Sequence, residues 1–188
     1  TEIAEVASMA MELFTMQHWD VYFADPIELS RAKEQQLERV ITIFPWIATI
    51  DKFQHWLYTH PGHTAKEREA MWMSILHEFS SPVVNFLGLE KYRAVLWQRQ
   101  LHLFEVPFYY IEYGIAPLGA IGLWQQYKND PDRAINNYLN ALSLGGTKTL
   151  PELFAAADLT FDFSSATISK LMGFVKTELD QITLTTSS

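Results

Sequence analysis

Residues 97–119 read WQRQLHLFEVPFYYIEYGIAPLG and combine ionisable and aromatic side chains in one stretch. The stretch contains one histidine, two acids and three tyrosines among apolar residues: His102, Glu105, Glu112, Tyr109, Tyr110 and Tyr113. We predict a long helix interrupted by Pro107, because proline is well placed in the first turn of a helix. A new turn there puts Tyr109 and Tyr113 on one face, with Tyr110 beside Tyr113. The imidazole and phenols could then donate hydrogen bonds to one point, or the tyrosines could simply be anchored in a buried helix by their hydroxyls.

The composition describes an aromatic-rich globular chain. Of its 188 residues, 48% are hydrophobic and 14% are aromatic, which is enough for a sizeable core. The formal net charge is −8 and the chain has no basic stripe, so we expect no nucleic-acid partner. The absence of cysteine excludes disulfides, cysteine-ligated zinc and a thiol nucleophile. No run of about 18 apolar residues occurs, so we expect no membrane partner.

Apolar residues recur with the period of a helix along the chain, and no segment alternates as a strand does. We therefore predict an all-α fold, a multi-helix array of eight or nine helices. The predicted helices are 2–22, 29–51, 52–59, 64–79, 87–103, 115–128, 132–144, 151–157 and 167–181. Pro45 is expected to kink the second helix, Thr64 and Glu67 form a predicted capping box, and Asp130 is a predicted N-cap. Residues 182–188 are predicted to be a frayed tail.

A second group of polar residues lies on the first predicted helix. Glu5, Ser8 and Glu12 are spaced i, i+3 and i+7, so they share one face of an otherwise apolar helix. Carboxylates among apolar residues are costly unless they are paired or bind a metal ion. The alternative is that this face is simply in contact with water.

Two sequence patterns suggest metal sites without completing them. His77-Glu78 matches the start of H-E-x-x-H, but position 81 holds Ser81 and no complete motif occurs anywhere in the chain. We therefore reject His77 as a metal ligand. His102-x-x-Glu105 could be half of a carboxylate metal site in a helical bundle, but no matching half is present on another predicted helix.

Three stretches together resemble the C-terminal part of a zinc metallopeptidase of the oligoendopeptidase F and thimet oligopeptidase type, family M3. They are AEVAS at 4–8 with Glu12, His102 followed by PFYYIEYG at 107–114, and LGGTK at 144–148 followed by LPELF at 150–154 and Asp158. Their order and spacing carry the resemblance, since each motif alone is only modestly specific. The resemblance implies that residues 1–188 are the C-terminal part of one zincin-like catalytic domain of a cytoplasmic hydrolase.

The resemblance also implies a metal site to which this chain contributes one ligand. Glu5 is expected to be the third zinc ligand, and Ser8 and Glu12 are expected to orient a zinc-bound histidine. The family's H-E-x-x-H helix would lie upstream of residue 1, and a catalytic zinc needs three protein ligands. We therefore expect zinc in the parent protein, and expect this chain alone to retain no zinc and to be inactive.

For residues 97–119, the resemblance implies roles in peptide hydrolysis. Tyr110 and Tyr113 are expected to stabilise the oxyanion formed when metal-activated water attacks an internal bond of a short peptide. Tyr109 and His102 are expected to hold the substrate backbone. The sequence leaves open which of Tyr109 and Tyr110 faces the site.

The expected partners are short peptides and the missing N-terminal part of the parent. A surface exposed by truncation would favour self-association, so we expect a homo-oligomer that buries part of residues 109–118 or 9–16. A non-catalytic helical domain that binds peptides or proteins is the alternative, because aromatic-rich grooves bind peptides well.

Overall fold

The computed structural model describes residues 2–186, and the side chains of residues 3–182. Within that range the chain is helical and contains no strand, which confirms the all-α prediction. The helices are α1 (Glu2–Thr15), α2 (Pro26–Thr59), α3 (Ala65–Glu78), α4 (Glu90–Arg93), α5 (His102–Glu105), α6 (Glu112–Asn129), α7 (Pro131–Ser143), α8 (Leu150–Ala156) and α9 (Ser165–Thr186). Two 3-10 helices, Met16–Val21 and Leu96–Arg99, lie between them. None of the helices in the described residues is both long and apolar enough to cross a membrane.

The helices are grouped in two compact units. The first contains the residues up to Ile41 and those from Ile115 onward, and the second contains residues 42–114. Helices α2 and α6 contribute residues to both units. The assignment of the chain to one catalytic domain stays a prediction.

The core of the first unit depends on close approach of α6 to other helices. A Cβ at Gly119 of α6 would lie 3.0 Å from Cζ of Phe154 and 3.2 Å from Cγ2 of Val6. Both side chains are buried. The Tyr138 hydroxyl on α7 donates to the carbonyl of Ala7 on α1, at 3.2 Å. Glycine at position 119 therefore lets α6 approach the side chains of α1 and α8.

The core of the second unit is an apolar cluster built mainly from α2 and α3. Its buried members are Ile50, Phe53, Trp72, Ile75, Leu76 and Leu103. The capping box predicted for Thr64 and Glu67 is present at the start of α3 and confirms that prediction. Leu103 of α5 also belongs to this cluster, which places the neighbouring His102 beside the core.

Several predicted helix ends differ from the structure. Helix α1 ends at Thr15 instead of residue 22, and the chain continues as the 3-10 helix Met16–Val21. Helix α2 runs without a break from Pro26 to Thr59, although two helices were predicted there, and Pro45 lies inside it. Helix α9 continues to Thr186, past the predicted end at 181. The predicted tail, residues 182–188, lies partly outside the described residues, and its fraying stays a prediction.

The helix predicted over residues 87–103 is wrong. Only the short helix α4, the 3-10 helix Leu96–Arg99 and the start of α5 form there. Gly88 has φ +82°, a left-handed conformation that interrupts a right-handed helix. Further along, the carbonyl of Arg93 accepts a hydrogen bond from Nε1 of Trp72, at 2.7 Å. A tertiary contact to α3 therefore takes one of the carbonyls that a continuous helix would have used.

Candidate active site

His102 lies against three tyrosine rings in the second unit. Its ring centroid is 4.9 Å from that of Tyr110, 5.7 Å from Tyr113 and 6.1 Å from Tyr109. The tyrosines also contact one another, with Tyr113 5.4 Å from Tyr110 and 5.7 Å from Tyr109. The structure thus brings together the four residues singled out in this stretch, and we call them the His–Tyr cluster. Their catalytic roles stay predictions.

The chain forms this cluster by a turn and not by the predicted Pro-interrupted helix. Helix α5 ends at Glu105, α6 begins at Glu112, and the residues between them follow no regular helix. Phe108 has φ +60°, which is uncommon for a residue that is not glycine. Its ring lies against His55 and Tyr58 of α2, with centroids at 5.0 and 4.9 Å. Packing on α2 holds the turn in a conformation that local preference disfavours.

Tyr110 reaches from the cluster toward the core of the second unit. It packs against the apolar cluster formed by α2 and α3, and its side chain is partly buried. Burial raises the pKa of the Tyr110 phenol, while the neighbouring indole N–H of Trp46 acts in the opposite direction. A raised pKa keeps the phenol protonated, and so able to donate a hydrogen bond, throughout the neutral range.

Two side chains that sequence reasoning missed contact the cluster. Gln100 lies 2.6 Å from His102, measured from Nε2 of the amide to Nδ1 of the imidazole. Nε1 of Trp46 donates to Oε1 of the same glutamine, at 3.1 Å. Gln100 stands two residues before His102, but spacing alone gave no reason to select it. Trp46 is 54 residues away from Gln100 in the chain, and no local pattern could have linked them.

Glu5, Ser8 and Glu12 belong to the first unit and lie on the continuous helix α1, which gives them the common face predicted from their spacing. Glu5 is partly buried, whereas Ser8 and Glu12 are exposed. Oε2 of Glu12 accepts a hydrogen bond from Nε2 of Gln36 on α2, at 2.8 Å. The exposure of Ser8 and Glu12 favours a face in contact with water. The expected metal role of Glu5 stays a prediction.

No metal site is complete within this chain's described side chains. Among them, no three His, Cys, Asp or Glu residues lie together in a way that could hold a metal ion. Glu5 is a single oxygen donor, and a catalytic zinc takes three protein ligands. The residues present therefore do not by themselves fit zinc, and we assign no chemical step to a metal here. His77 is exposed, and the carboxylate of Glu78 beside it pairs with Lys52 at 2.7 Å.

Comparison with known proteins finds similarity to peptidases of one family. The model of peptidase family M3 matches residues 1–173. An oligoendopeptidase F homologue of Borreliella burgdorferi is 24% identical over 185 residues, covering 95% of this chain and 30% of that protein. The structure of PZ peptidase A with an inhibitor has a TM-score of 0.86 and 28% identity, covering 96% of this chain and 32% of its own. A structure assigned provisionally to oligoendopeptidase F has a TM-score of 0.82 and 29% identity, covering 95% and 31%. The chain thus spans about a third of the length of these proteins.

Proposed function

This chain belongs to peptidase family M3, and on that premise we propose that it is the C-terminal part of a zinc-dependent, cytoplasmic oligopeptidase. The parent enzyme hydrolyses internal bonds of short peptides. The observation that carries this proposal is the His–Tyr cluster, in which the centroids of three phenol rings lie within 6.1 Å of the centroid of one imidazole. An imidazole and three phenols are groups that can donate hydrogen bonds to an oxygen atom.

The chemistry of peptide hydrolysis needs such donors. Attack of water on a peptide carbonyl places negative charge on its oxygen, and donors already in position stabilise that charge most. We assign this role to the hydroxyls of Tyr110 and Tyr113, and substrate binding to Tyr109 and His102. Removal of one oxyanion donor typically costs about 2.7–4 kcal/mol in the activation free energy.

Zinc enters this proposal as a cofactor of the parent enzyme. When bound in the parent enzyme, a zinc ion would supply an activated water. Glu5 would be one of its ligands, with Ser8 and Glu12 on the same helix face, and the remaining ligands would come from outside this chain. Because one carboxylate is too few for a catalytic zinc site, we expect this chain alone to be inactive.

A non-catalytic peptide-binding domain is the second candidate. It is favoured by the exposed apolar rings that lie next to the His–Tyr cluster. Phe104 is 57% exposed on α5, and the exposed ring of Tyr58 on α2 contacts Phe108. Apolar side chains of a peptide could bind to such rings without any reaction.

One experiment separates the two candidates. Zinc content and cleavage of short peptides are measured for this chain and for a form extended upstream by roughly 40 residues, about a helix pair with its connection. We expect one zinc ion and peptidase activity in the extended form only, with loss of zinc in Glu5→Gln. In that form Tyr113→Phe should lower kcat by about 10²–10³-fold.

The matched control is Tyr92→Phe, because Tyr92 is an exposed tyrosine outside the His–Tyr cluster. It should leave both zinc content and kcat unchanged. An extended form that binds no zinc and cleaves no peptide would overturn the peptidase proposal and favour the peptide-binding domain.

A further inference from the structure

Three side chains of the second unit form a line of hydrogen bonds that ends at the His–Tyr cluster. Nε1 of Trp46 lies 3.1 Å from Oε1 of Gln100. Nε2 of Gln100 lies 2.6 Å from Nδ1 of His102. All three side chains are partly buried, so water competes little for these bonds.

The tryptophan determines which way the amide of Gln100 faces. An indole N–H can only donate a hydrogen bond, so the group that meets it must be the amide oxygen. The opposite orientation would bring the amide N–H₂ against the indole N–H, donor against donor. The amide nitrogen therefore points toward His102.

The amide in turn determines where His102 carries its proton. An amide N–H₂ can only donate, so Nδ1 of His102 must accept and cannot itself carry a proton. A neutral imidazole with an unprotonated Nδ1 has its proton on Nε2. His102 is thereby left with a hydrogen-bond donor at the ring nitrogen that Gln100 does not occupy.

We propose that Gln100, oriented by Trp46, is a positioning residue that holds His102 as the Nε2–H tautomer, so that His102 donates a hydrogen bond to a carbonyl oxygen of the substrate. The substrate part of this inference rests on the proposed peptidase function, while the tautomer does not. In this form the imidazole and the phenols of the His–Tyr cluster all present donors. Such donors suit a carbonyl or oxyanion oxygen.

The tautomer can be measured by ¹⁵N NMR of the 188-residue chain labelled at its histidines, at about pH 8, where an ordinary imidazole with a pKa of about 6.5 is neutral. Protonated and unprotonated ring nitrogens have well-separated ¹⁵N shifts, and the His102→Asn spectrum identifies the His102 signals by their loss. We expect the proton on Nε2 of His102. A wild-type spectrum with the proton on Nδ1 would overturn the proposal, whatever the variants do.

Substitution of Gln100 tests the cause. In Gln100→Glu the carboxylate can only accept, so one oxygen still takes the bond from Trp46 and the other should draw the imidazole proton to Nδ1. Trp46→Phe removes the constraint on the amide and should give a mixture of tautomers. Gln98→Leu is the control, because Gln98 is an exposed glutamine in the same turn, and its His102 signals should match the wild type. Retention of the Nε2–H form in folded Gln100→Glu would show that Gln100 does not set the tautomer.

Activity of the upstream-extended form separates this inference from the proposed function. Gln100→Glu should lower kcat/KM there by about 10-fold, the effect of losing one hydrogen bond to the substrate carbonyl. Nε2–H in the 188-residue chain together with an inert extended form would keep the tautomer and remove the peptidase proposal. An active extended form with His102 protonated on Nδ1 would keep the peptidase proposal and overturn the proposed tautomer.

Discussion

At the scale of the single residue, a buried side-chain amide on α2 is an exception to the usual hydrogen bonding of buried polar groups. Gln54 is 1% exposed, and its Nε2 has no hydrogen-bond acceptor among the described residues. A buried donor without an acceptor loses its bonds to water and gains none in the protein. We therefore expect this amide to lower the free energy of unfolding relative to an apolar side chain of similar size.

Replacement of this amide by an apolar side chain of similar size should not weaken the protein. We expect Gln54→Met to leave the free energy of unfolding unchanged or to raise it by about 1 kcal/mol, because the unsatisfied donor is removed without leaving a cavity. Denaturant unfolding measures the change, with Gln98→Met on the exposed surface as a neutral control. A loss of more than about 1 kcal/mol would mean that the amide makes a useful bond in solution.

At the scale of the element, α3 begins with a reciprocal pair of hydrogen bonds. Oε2 of Glu67 accepts from the backbone N of Thr64 at 2.7 Å, and the backbone N of Glu67 donates to Oγ1 of Thr64 at 3.2 Å. The bonds from Thr64 hold the pKa of the Glu67 carboxyl below its ordinary value. The same arrangement recurs at the start of α8, where Glu152 accepts from the backbone N of Thr149 at 2.9 Å.

Loss of the cap should have an effect that depends on pH. Thr64→Ala should lower the free energy of unfolding by about 1 kcal/mol at neutral pH, the usual value of an N-cap. Because the folded pKa of Glu67 is depressed, its stabilisation is present above the ordinary value of 4.5 and is lost as the pH falls through the folded value. The difference between Thr64→Ala and wild type should therefore shrink as the pH falls below 4.5, in denaturant unfolding measured across that range. The backbone N of residue 64 can still donate to Glu67 in this variant, so a difference that stays constant would show that the bond from the Thr64 hydroxyl to the carboxylate adds no stability.

Two helical glycines should respond in opposite directions to the same substitution. Gly119→Ala should lower the free energy of unfolding by about 1–2 kcal/mol, because overpacking against buried Phe154 and Val6 exceeds the gain in helix propensity. Gly173 on α9 is exposed, and a Cβ added there would meet nothing within 4 Å, so Gly173→Ala should raise the free energy of unfolding by up to about 1 kcal/mol. Equal effects of the two substitutions in thermal or denaturant unfolding would show that α6 does not pack as closely as described.

At the scale of the whole molecule, several large apolar side chains between α3 and the His–Tyr cluster are exposed. We call this set the apolar loop surface, and its members are Val83, Leu87, Tyr92, Leu101 and Phe104. Val83 is 89% exposed and Leu87 is 85% exposed. In the two ranges first expected to form a dimer contact, Leu118 and Phe14 are buried, whereas Ile111 and Met11 are exposed. Exposed apolar patches of this kind favour association.

Self-association should therefore depend on this surface. We expect oligomers in sedimentation velocity as the concentration rises, and we expect the double variant Val83→Ser and Leu87→Ser to shift them toward monomer. Met11→Ser is the comparison, because Met11 is 45% exposed on α1, inside one of the ranges first expected to be buried in a dimer. A clean monomer at every concentration would contradict self-association, and a larger effect of Met11→Ser would place the contact on α1.

The all-α fold and most helix starts could be predicted because the physical causes are local. The 3.6-residue period of apolar side chains depends on neighbours within two turns. Asp130 caps α7 by accepting from the backbone N of Arg133 at 3.1 Å, three residues away, as its position before Pro131 predicted. The grouping of His102 with its three tyrosines also followed from close spacing, although the predicted helical geometry was wrong.

The path of the chain from residue 87 to residue 111 was decided only by the tertiary structure. Trp72 takes the carbonyl of Arg93, and Phe108 keeps a positive φ because its ring packs on α2. Both contacts join residues far apart in the chain, and the free energy they contribute outweighs local helix preference. Trp46 and Gln100 entered the site for the same reason, since 54 residues separate them. The sequence by itself thus determined the helices and the residue types of the candidate site, and the packing of distant side chains decided how those residues are held.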